Sequence, residues 1–182
     1  MMSKNLLLLT VGLLIFFISF ALYITMPLYL PYYHEIDNAL ISHENKIVIP
    51  PQSTIKILNL TTNNYNNTVY VITNSSNVNV YVFNSKLTMI GNNSGYIAIQ
   101  VNPGNYIVAI NNPSSSQQYV DIHYAVLPYS YLNEFYTYSG IISTATEFFM
   151  ALGVVIAGYS IVKMLFGKKI SSTLNKITKR AK

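Results

Sequence analysis

Two long apolar segments, one near each end of the chain, constrain the fold more than any other feature of the sequence. The first, residues 5–26, has 22 residues without a charge and is followed directly by Pro27. The second, residues 141–162, is equally long and carries one acidic residue, Glu147. A helix of about 20 apolar residues crosses the ~30 Å hydrocarbon core of a membrane. Both segments are therefore predicted to be transmembrane helices.

The basic residues are concentrated at the two ends of the chain. Lys4 precedes the first segment, and the end of the second segment and the tail after it carry Lys163, Lys168, Lys169, Lys176, Lys179, Arg180 and Lys182. Residues 27–139 carry three lysines and five acidic residues, a net charge of 3 − 5 = −2. Because basic residues favour the cytoplasmic side, we expect a multi-pass plasma-membrane protein with both termini cytoplasmic and the middle outside.

These features predict six consecutive regions. They are an N-terminal transmembrane helix (1–26), a juxtamembrane lead-in (27–45), an extracellular β-sandwich (46–128), an aromatic interfacial segment (129–140), a C-terminal transmembrane helix (141–166) and a basic cytoplasmic tail (167–182). The first region has an alternative interpretation as a signal peptide, because Ser19 and Ala21 form a weak small-x-small cleavage site.

Tyrosines flank the predicted outer end of each apolar segment. Amphipathic aromatic rings collect at the headgroup level of a membrane, so both groups are expected on one side of it. The tyrosines are Tyr23, Tyr29, Tyr32 and Tyr33 after the first segment, and Tyr129, Tyr131, Tyr136 and Tyr138, together with Phe135, before the second.

The region between the aromatic groups has the alternating pattern of β-strands. In residues 78–84, Val78, Val80 and Val82 point to one face and polar or aromatic residues to the other. Turn residues separate such runs, with no helical period between them. Seven or eight short strands predict an antiparallel sandwich. The runs are 46–49, 54–60, 68–73, 78–84, 86–90, 96–102, 106–111 and 119–127.

Glu147 is the most unusual residue of the second apolar segment. A carboxylate inside a membrane is costly and normally faces another protein helix. At about 100° per residue, Ala151 and Gly158 share its face, and Gly153 and Ala157 form a small-xxx-small pair on the adjoining face. We expect these five residues to contact the first helix or, preferably, a partner subunit. A proton relay and a loosely solvated carboxylate are the alternatives.

The basic tail has two interpretations. Ile170, Leu174 and Ile177 recur at helical spacing, which favours an amphipathic helix on the inner leaflet. The alternative is a solvated tail. Anionic lipid headgroups, rather than nucleic acid, are the expected partners of the flanking basic residues Lys168, Lys169, Lys176, Lys179 and Arg180.

The sequence contains no motif of known catalytic or cofactor chemistry. Its lack of cysteine excludes disulfides, cysteine-ligated metals and cysteine nucleophiles. His34, His43 and His123 do not have the spacing of a standard zinc site, and Asp121 and His123 are expected to form a surface ion pair. We predict a protein that is not an enzyme and has no cofactor. A metal-dependent membrane subunit that uses the three histidines is an alternative.

Four glycosylation sequons occur, all within the predicted outer domain and in or near predicted turns. The acceptors are Asn59, Asn66, Asn74 and Asn92. Their restriction to one side of the predicted topology is consistent with a glycosylated ectodomain.

Residues 97–129 also contain a distinctive series of turns. A Pro-Gly-x-Tyr turn begins at Pro103, an Asn-Pro turn follows at Asn112, and a last strand then leads to the membrane. With the low charge and abundant Asn and Tyr, this series resembles membrane-anchored β-sandwich proteins of acidophilic crenarchaea such as the Sulfolobales. The resemblance implies an archaeal surface protein and transfers no active site.

Besides the metal-dependent subunit, two functions are compatible with these features. The expected one is an accessory subunit of a membrane complex or a surface interaction module, which displays the β-sandwich outside and binds its partner through the second transmembrane helix. The alternative is a virus- or plasmid-encoded envelope protein.

Overall fold

The computed structural model describes the backbone of residues 3–180 and the side chains of residues 3–166. The chain divides into two compact units. The helical unit consists of Met1–Leu30 and Thr137–Lys182, and the β unit consists of Pro31–Tyr136.

The β unit contains eight strands preceded by one short helix, α2 (Tyr33–Ile41). The strands are β1 (Glu44–Ile49), β2 (Ser53–Thr62), β3 (Thr68–Thr73), β4 (Asn79–Asn84), β5 (Met89–Ser94), β6 (Tyr96–Gln100), β7 (Gly104–Asn112) and β8 (Gln118–Leu127). The antiparallel sandwich predicted from the alternating pattern is confirmed.

The strands form two four-stranded antiparallel sheets. Sheet A has the order β1-β8-β3-β6, and sheet B has the order β2-β7-β4-β5. The first strand pairs with the last, β1 with β8, and the second pairs with the second-last, β2 with β7. This pairing makes the domain an eight-stranded jelly roll. The chain passes from β5 in sheet B to β6 in sheet A through one residue, Gly95. Its φ of 73° lies in the left-handed region that glycine adopts without strain.

The core between the sheets is made of β-branched side chains. Val80, Val82, Val108, Ile110 and Ile122 are completely buried, and they come from strands of both sheets. Because successive side chains of a strand point to opposite faces, the alternation of Val78, Val80 and Val82 places all three inside this core.

A second, smaller core lies on the outer face of sheet A. Tyr70, Ala125 and Leu127 project from β3 and β8 and pack against Ile36 of α2 and Leu132. This face of the sheet is therefore covered rather than solvated. The layer was not predicted, because residues 27–45 were expected to be only a juxtamembrane lead-in.

Among the described residues, two helices are long and apolar enough to span a membrane. They are α1 (Lys4–Ile24) and α3 (Tyr129–Arg180). The sequence predicted three separate regions here, an aromatic segment (129–140), a transmembrane helix (141–166) and a basic tail (167–182). The structure instead has one continuous helix, α3, of 52 residues. Pro128 directly precedes it, and no proline follows to interrupt it. A short 3₁₀ turn, Met26–Leu28, follows α1.

Candidate functional site

Within the helical unit, α1 and α3 touch through their backbones at two glycines. A Cβ atom at Gly12 would lie 2.6 Å from the backbone nitrogen of Ala157 and 2.8 Å from the carbonyl oxygen of Gly153. A Cβ atom at Gly153 would lie 2.7 Å from both the carbonyl oxygen of Gly12 and the backbone nitrogen of Phe16. No side chain fits at either position, so the close approach depends on glycine in both helices.

The buried face of α3 continues in both directions from this crossing. Thr146, Ala157 and Ser160 are buried, and the Ser160 hydroxyl donates a hydrogen bond to the carbonyl oxygen of Asn5. Since Asn5 lies near the start of α1 and Ser160 lies well along α3, the two helices run antiparallel. Small residues at successive turns allow the helices to stay close along this face.

The expected contact residues of α3 separate into two groups. Gly153 and Ala157 face α1 and are buried. Glu147 and Ala151 are exposed. Gly158 is half-buried, and none of the described atoms beyond its own helix lies within 4 Å of where its Cβ would be.

The exposed group defines a second face of α3, which we call the Glu147 face. It consists of Gly140, Glu147, Ala151 and Gly158. Gly153 is six positions after Glu147, which places the Glu147 face about 120° around the helix from the face that contacts α1. The helix pair therefore leaves one stripe of small residues, with a carboxylate in it, unoccupied in the part of the chain that the structure describes.

Glu147 has no ion-pair partner among residues 3–166. The ion pair found in that range joins Lys46 and Glu44, at 3.1 Å, in the β unit. Lys163, on α3, lies over the ring of Tyr159 instead, 5.5 Å from its centroid. A carboxylate in an apolar helix is stable when it is hydrogen-bonded, paired or protonated. The described chain supplies no partner of this kind for Glu147.

The two buried residues of α1 were not identified from the sequence as residues of a helix contact. Gly12 and Ser19 are the buried residues of α1, and they lie seven residues apart. A spacing of seven places both residues on one face of a helix, and this was the sequence feature that could have indicated a contact. The leucine and phenylalanine residues around them concealed it, because the segment is uniformly apolar.

The three histidines lie in the β unit, and two of them bind backbone carbonyls. His43 Nδ1 is 2.9 Å from the carbonyl oxygen of Ala39, and His123 Nδ1 is 3.3 Å from that of Leu40. Among the described residues, no cluster of three or more metal-binding side chains occurs. The carboxylate of Asp121 accepts a hydrogen bond from Asn74, at 3.2 Å, and not from His123.

The four sequons occupy different surroundings. Asn59 and Asn92 are exposed and lie within β2 and β5, rather than in turns. Asn66 is half-buried in the loop before β3. Asn74 is exposed, but its side-chain amide forms two hydrogen bonds with Asp121. Asn59 and Asn92 are thus the most accessible acceptors. The side chains of the predicted membrane-surface residues Lys168, Lys169, Lys176, Lys179 and Arg180 lie outside the described residues.

No protein-family model matches the sequence, and no curated protein matches it. Among solved structures, PliG of Aeromonas hydrophila, a periplasmic inhibitor of g-type lysozyme, aligns at 21% identity with a TM-score of 0.38, over 45% of this chain and 82% of its own. The Yersinia pseudotuberculosis-derived mitogen aligns at 15% identity and 0.38, over 46% and 83%. A designed double-stranded β-helix aligns at 11% and 0.31, over 45% and 97%. Similarity at this level supports no argument about function.

Proposed function

We propose that this chain is a non-enzymatic accessory subunit of a membrane complex. It spans the plasma membrane twice, with both termini in the cytoplasm, and displays the jelly roll outside. The Glu147 face of α3 binds a transmembrane helix of a partner protein. The chain's resemblance to surface proteins of acidophilic crenarchaea agrees with this location.

The observation that carries the proposal is the division of α3 into two faces. Gly153 and Ala157 are already used by α1, whereas Glu147 and its neighbouring small residues have no partner within the described chain. Small residues let a second helix approach closely, and a carboxylate selects a helix that offers a donor at the same depth. A Lys, Arg, His or hydroxyl side chain on the partner meets this requirement.

Co-purification after extraction in a mild detergent tests the proposal. We expect Glu147→Leu to lose the partner that the unchanged protein retains, because the buried donor on the partner is left without an acceptor. Phe149→Leu is the matched control, since Phe149 is exposed on another face of the same helix. Equal recovery of the same partner with Glu147→Leu and with the unchanged chain would overturn the proposal.

A second variant identifies the kind of contact. Glu147→Gln keeps a hydrogen-bond acceptor but removes the charge. Retention of the partner with Glu147→Gln indicates a hydrogen bond from a neutral donor or a protonated Glu147. Loss of the partner indicates an ion pair with a basic side chain.

The orientation has its own test in intact cells. A protease added outside is expected to cut loops of the β unit and to spare the C-terminal tail. Digestion of the tail without cell lysis would contradict the proposed orientation. A decrease in mass after deglycosylation, smaller in Asn59→Gln and Asn92→Gln variants, is the expected result for a glycosylated ectodomain.

A further inference from the structure

A cleft of about 690 Å³ opens at one end of the jelly roll, beside the edge strands β5 and β6. Four residues with side-chain amides line it, and they come from the loop before β3, the end of β4 and the β6–β7 turn. They are Asn64, Asn67, Asn84 and Asn102. Its volume falls in the range of about 300–1,000 Å³ that is usual for small-molecule sites.

Two of the amides are held in a fixed orientation by the backbone. The side-chain oxygen of Asn67 accepts a hydrogen bond from the backbone N–H of Tyr129, at 3.0 Å. The side-chain oxygen of Asn84 accepts from the backbone N–H groups of Lys86 and Thr88, both at 3.0 Å. Because these partners are donors, the oxygen of each amide faces them and the NH₂ group of each remains available as a donor.

The other two amides are uncommitted. The side chains of Asn64 and Asn102 form no hydrogen bond with other described residues, so each offers two donors and one acceptor to a ligand. The turn that carries Asn102 is held in place, because the Tyr106 hydroxyl donates to the Asn102 carbonyl oxygen at 2.8 Å. Ile90 and Ile99 add apolar surface to the cleft.

The composition of the cleft selects a class of ligand. Of the residues that line it in the described chain, none is acidic, basic or histidine. Anions are bound by basic side chains or by converging N–H groups, and metal ions by carboxylates or imidazoles. Side-chain amides that both donate and accept suit a neutral ligand with many hydroxyl groups, and the apolar surface suits the C–H faces of a sugar ring.

We propose that this cleft binds a neutral glycan. Amides do not titrate at acidic or neutral pH, so binding is expected to be equal at both. Two sources could supply the sugar. One is a glycan on this chain, for which Asn66 next to the cleft residue Asn67 is an acceptor. The other is a glycan on another molecule of the cell envelope.

The experiment uses the full chain in detergent on a printed array of neutral oligosaccharides built from mannose, glucose, galactose and N-acetylglucosamine. The tightest binder is then titrated by calorimetry at acidic and at neutral pH. We expect the double variant Asn64→Ala/Asn102→Ala to bind at least about tenfold more weakly, because it loses two amides that contact hydroxyls. Gln117→Ala/Asn77→Ala is the control, since both residues are exposed and lie outside the cleft.

Asn66→Gln separates the two sources of sugar. If the chain's own glycan fills the cleft, the unchanged protein binds the array weakly and Asn66→Gln binds it strongly. If the sugar belongs to another molecule, both bind equally. The proposal is overturned if neither form binds a neutral oligosaccharide, if acidic oligosaccharides are preferred, or if the double variant binds as well as the control. None of these results affects the partner at Glu147, because the two proposals share no residue.

Discussion

The helical unit and the β unit are held together in opposite ways. In the β unit, branched side chains from two sheets fill a common core, with Val80, Ile110 and Ile122 completely buried. In the helical unit, α1 and α3 meet where side chains are absent, at Gly12 and Gly153. The β unit is therefore expected to lose stability when a core side chain is made smaller, and the helix contact is expected to weaken when a side chain is added at a glycine.

The difference follows from the surroundings expected for each unit. In water, burying an apolar side chain is favourable by itself, at about 25 cal/mol per Å². Between lipid chains that driving force is absent, and helices associate through close packing and polar contacts. The exposed leucine and phenylalanine side chains of α1 and α3 are consistent with a lipid environment, and the small residues then determine where the helices touch.

The largest expected effect is removal of volume from the β core. Ile110→Ala should lower the free energy of unfolding of the β unit by about 2–5 kcal/mol, from lost transfer energy and the cavity left behind. Chemical denaturation of the full chain in detergent, followed by near-ultraviolet circular dichroism of the tyrosines, measures this. Val48→Ala is the control, since Val48 is 47% exposed, and a cost equal to that of Ile110→Ala would argue against the core described.

The next effect is the reverse change in the helical unit. Gly153→Leu should weaken the contact of α1 with α3 by about 1–3 kcal/mol, because added atoms would overlap the backbone of Gly12 and Phe16. The chain lacks cysteine, so Asn5→Cys with Ser160→Cys reports the contact through a thiol cross-linker. Gly158→Leu should leave cross-linking unchanged. Equal cross-linking with Gly153→Leu would show that the helices do not meet at these glycines.

A smaller effect is expected at the hydroxyl pair of Tyr70 and Tyr136, whose oxygens are 2.7 Å apart. Tyr70→Phe should cost about 1 kcal/mol at neutral pH. Burial, and then the hydrogen bond with Tyr136, raises the pKa of Tyr70 above its usual value.

The raised pKa also gives a pH dependence. The unfolded chain loses the Tyr70 proton near pH ~10, before the folded chain does. The stabilisation from this group is therefore complete below that pH and is lost as the pH rises further. Denaturation between neutral and strongly alkaline pH should show a steeper decline in stability for the unchanged chain than for Tyr70→Phe. Parallel declines would contradict a buried hydroxyl.

The smallest effect is expected on the surface. The hydrogen bond with Glu44, and then the charges of Glu44 and Asp121, raise the pKa of Lys46. Because the pair is exposed to solvent, Lys46→Met should leave the denaturation midpoint at neutral pH unchanged within error. A large shift of the midpoint would mean that this ion pair supports the fold.

Strands with strict alternation were predictable from the sequence. The strand β4 was expected over residues 78–84 and occupies Asn79–Asn84, because Val80 and Val82 are buried while Asn79 and Tyr81 between them are only half-buried. The prediction for β5 was displaced: residues 86–90 were expected, and Met89–Ser94 is observed. Its Gly-Asn-Asn sequence resembles a turn, but backbone pairing with β4 does not depend on apolar side chains.

Contacts that depend on distant residues were not predictable. Asn112 is completely buried, and its amide binds the carbonyl oxygens of Ile49, Pro50 and Ser116. In the sequence nothing marks Asn112 as buried, because Asn102 also precedes a proline. Similarly, Gly153 was expected in a contact, but its partner Gly12 was not identified. The position at which the helices cross decides which residues of α3 face α1 and which, like Glu147, stay exposed, and the sequence does not give that position.

Photo-cross-linking from the Glu147 face tests the proposed partner most directly. Ala151→Cys introduces the only thiol of the chain, and benzophenone maleimide attached there reacts with whatever lies beside Glu147 in native membranes. The proposal predicts a discrete protein adduct from Ala151→Cys that is absent from Phe149→Cys. Lipid adducts alone at both positions, or the same protein adducts at both, would contradict a partner helix on this face.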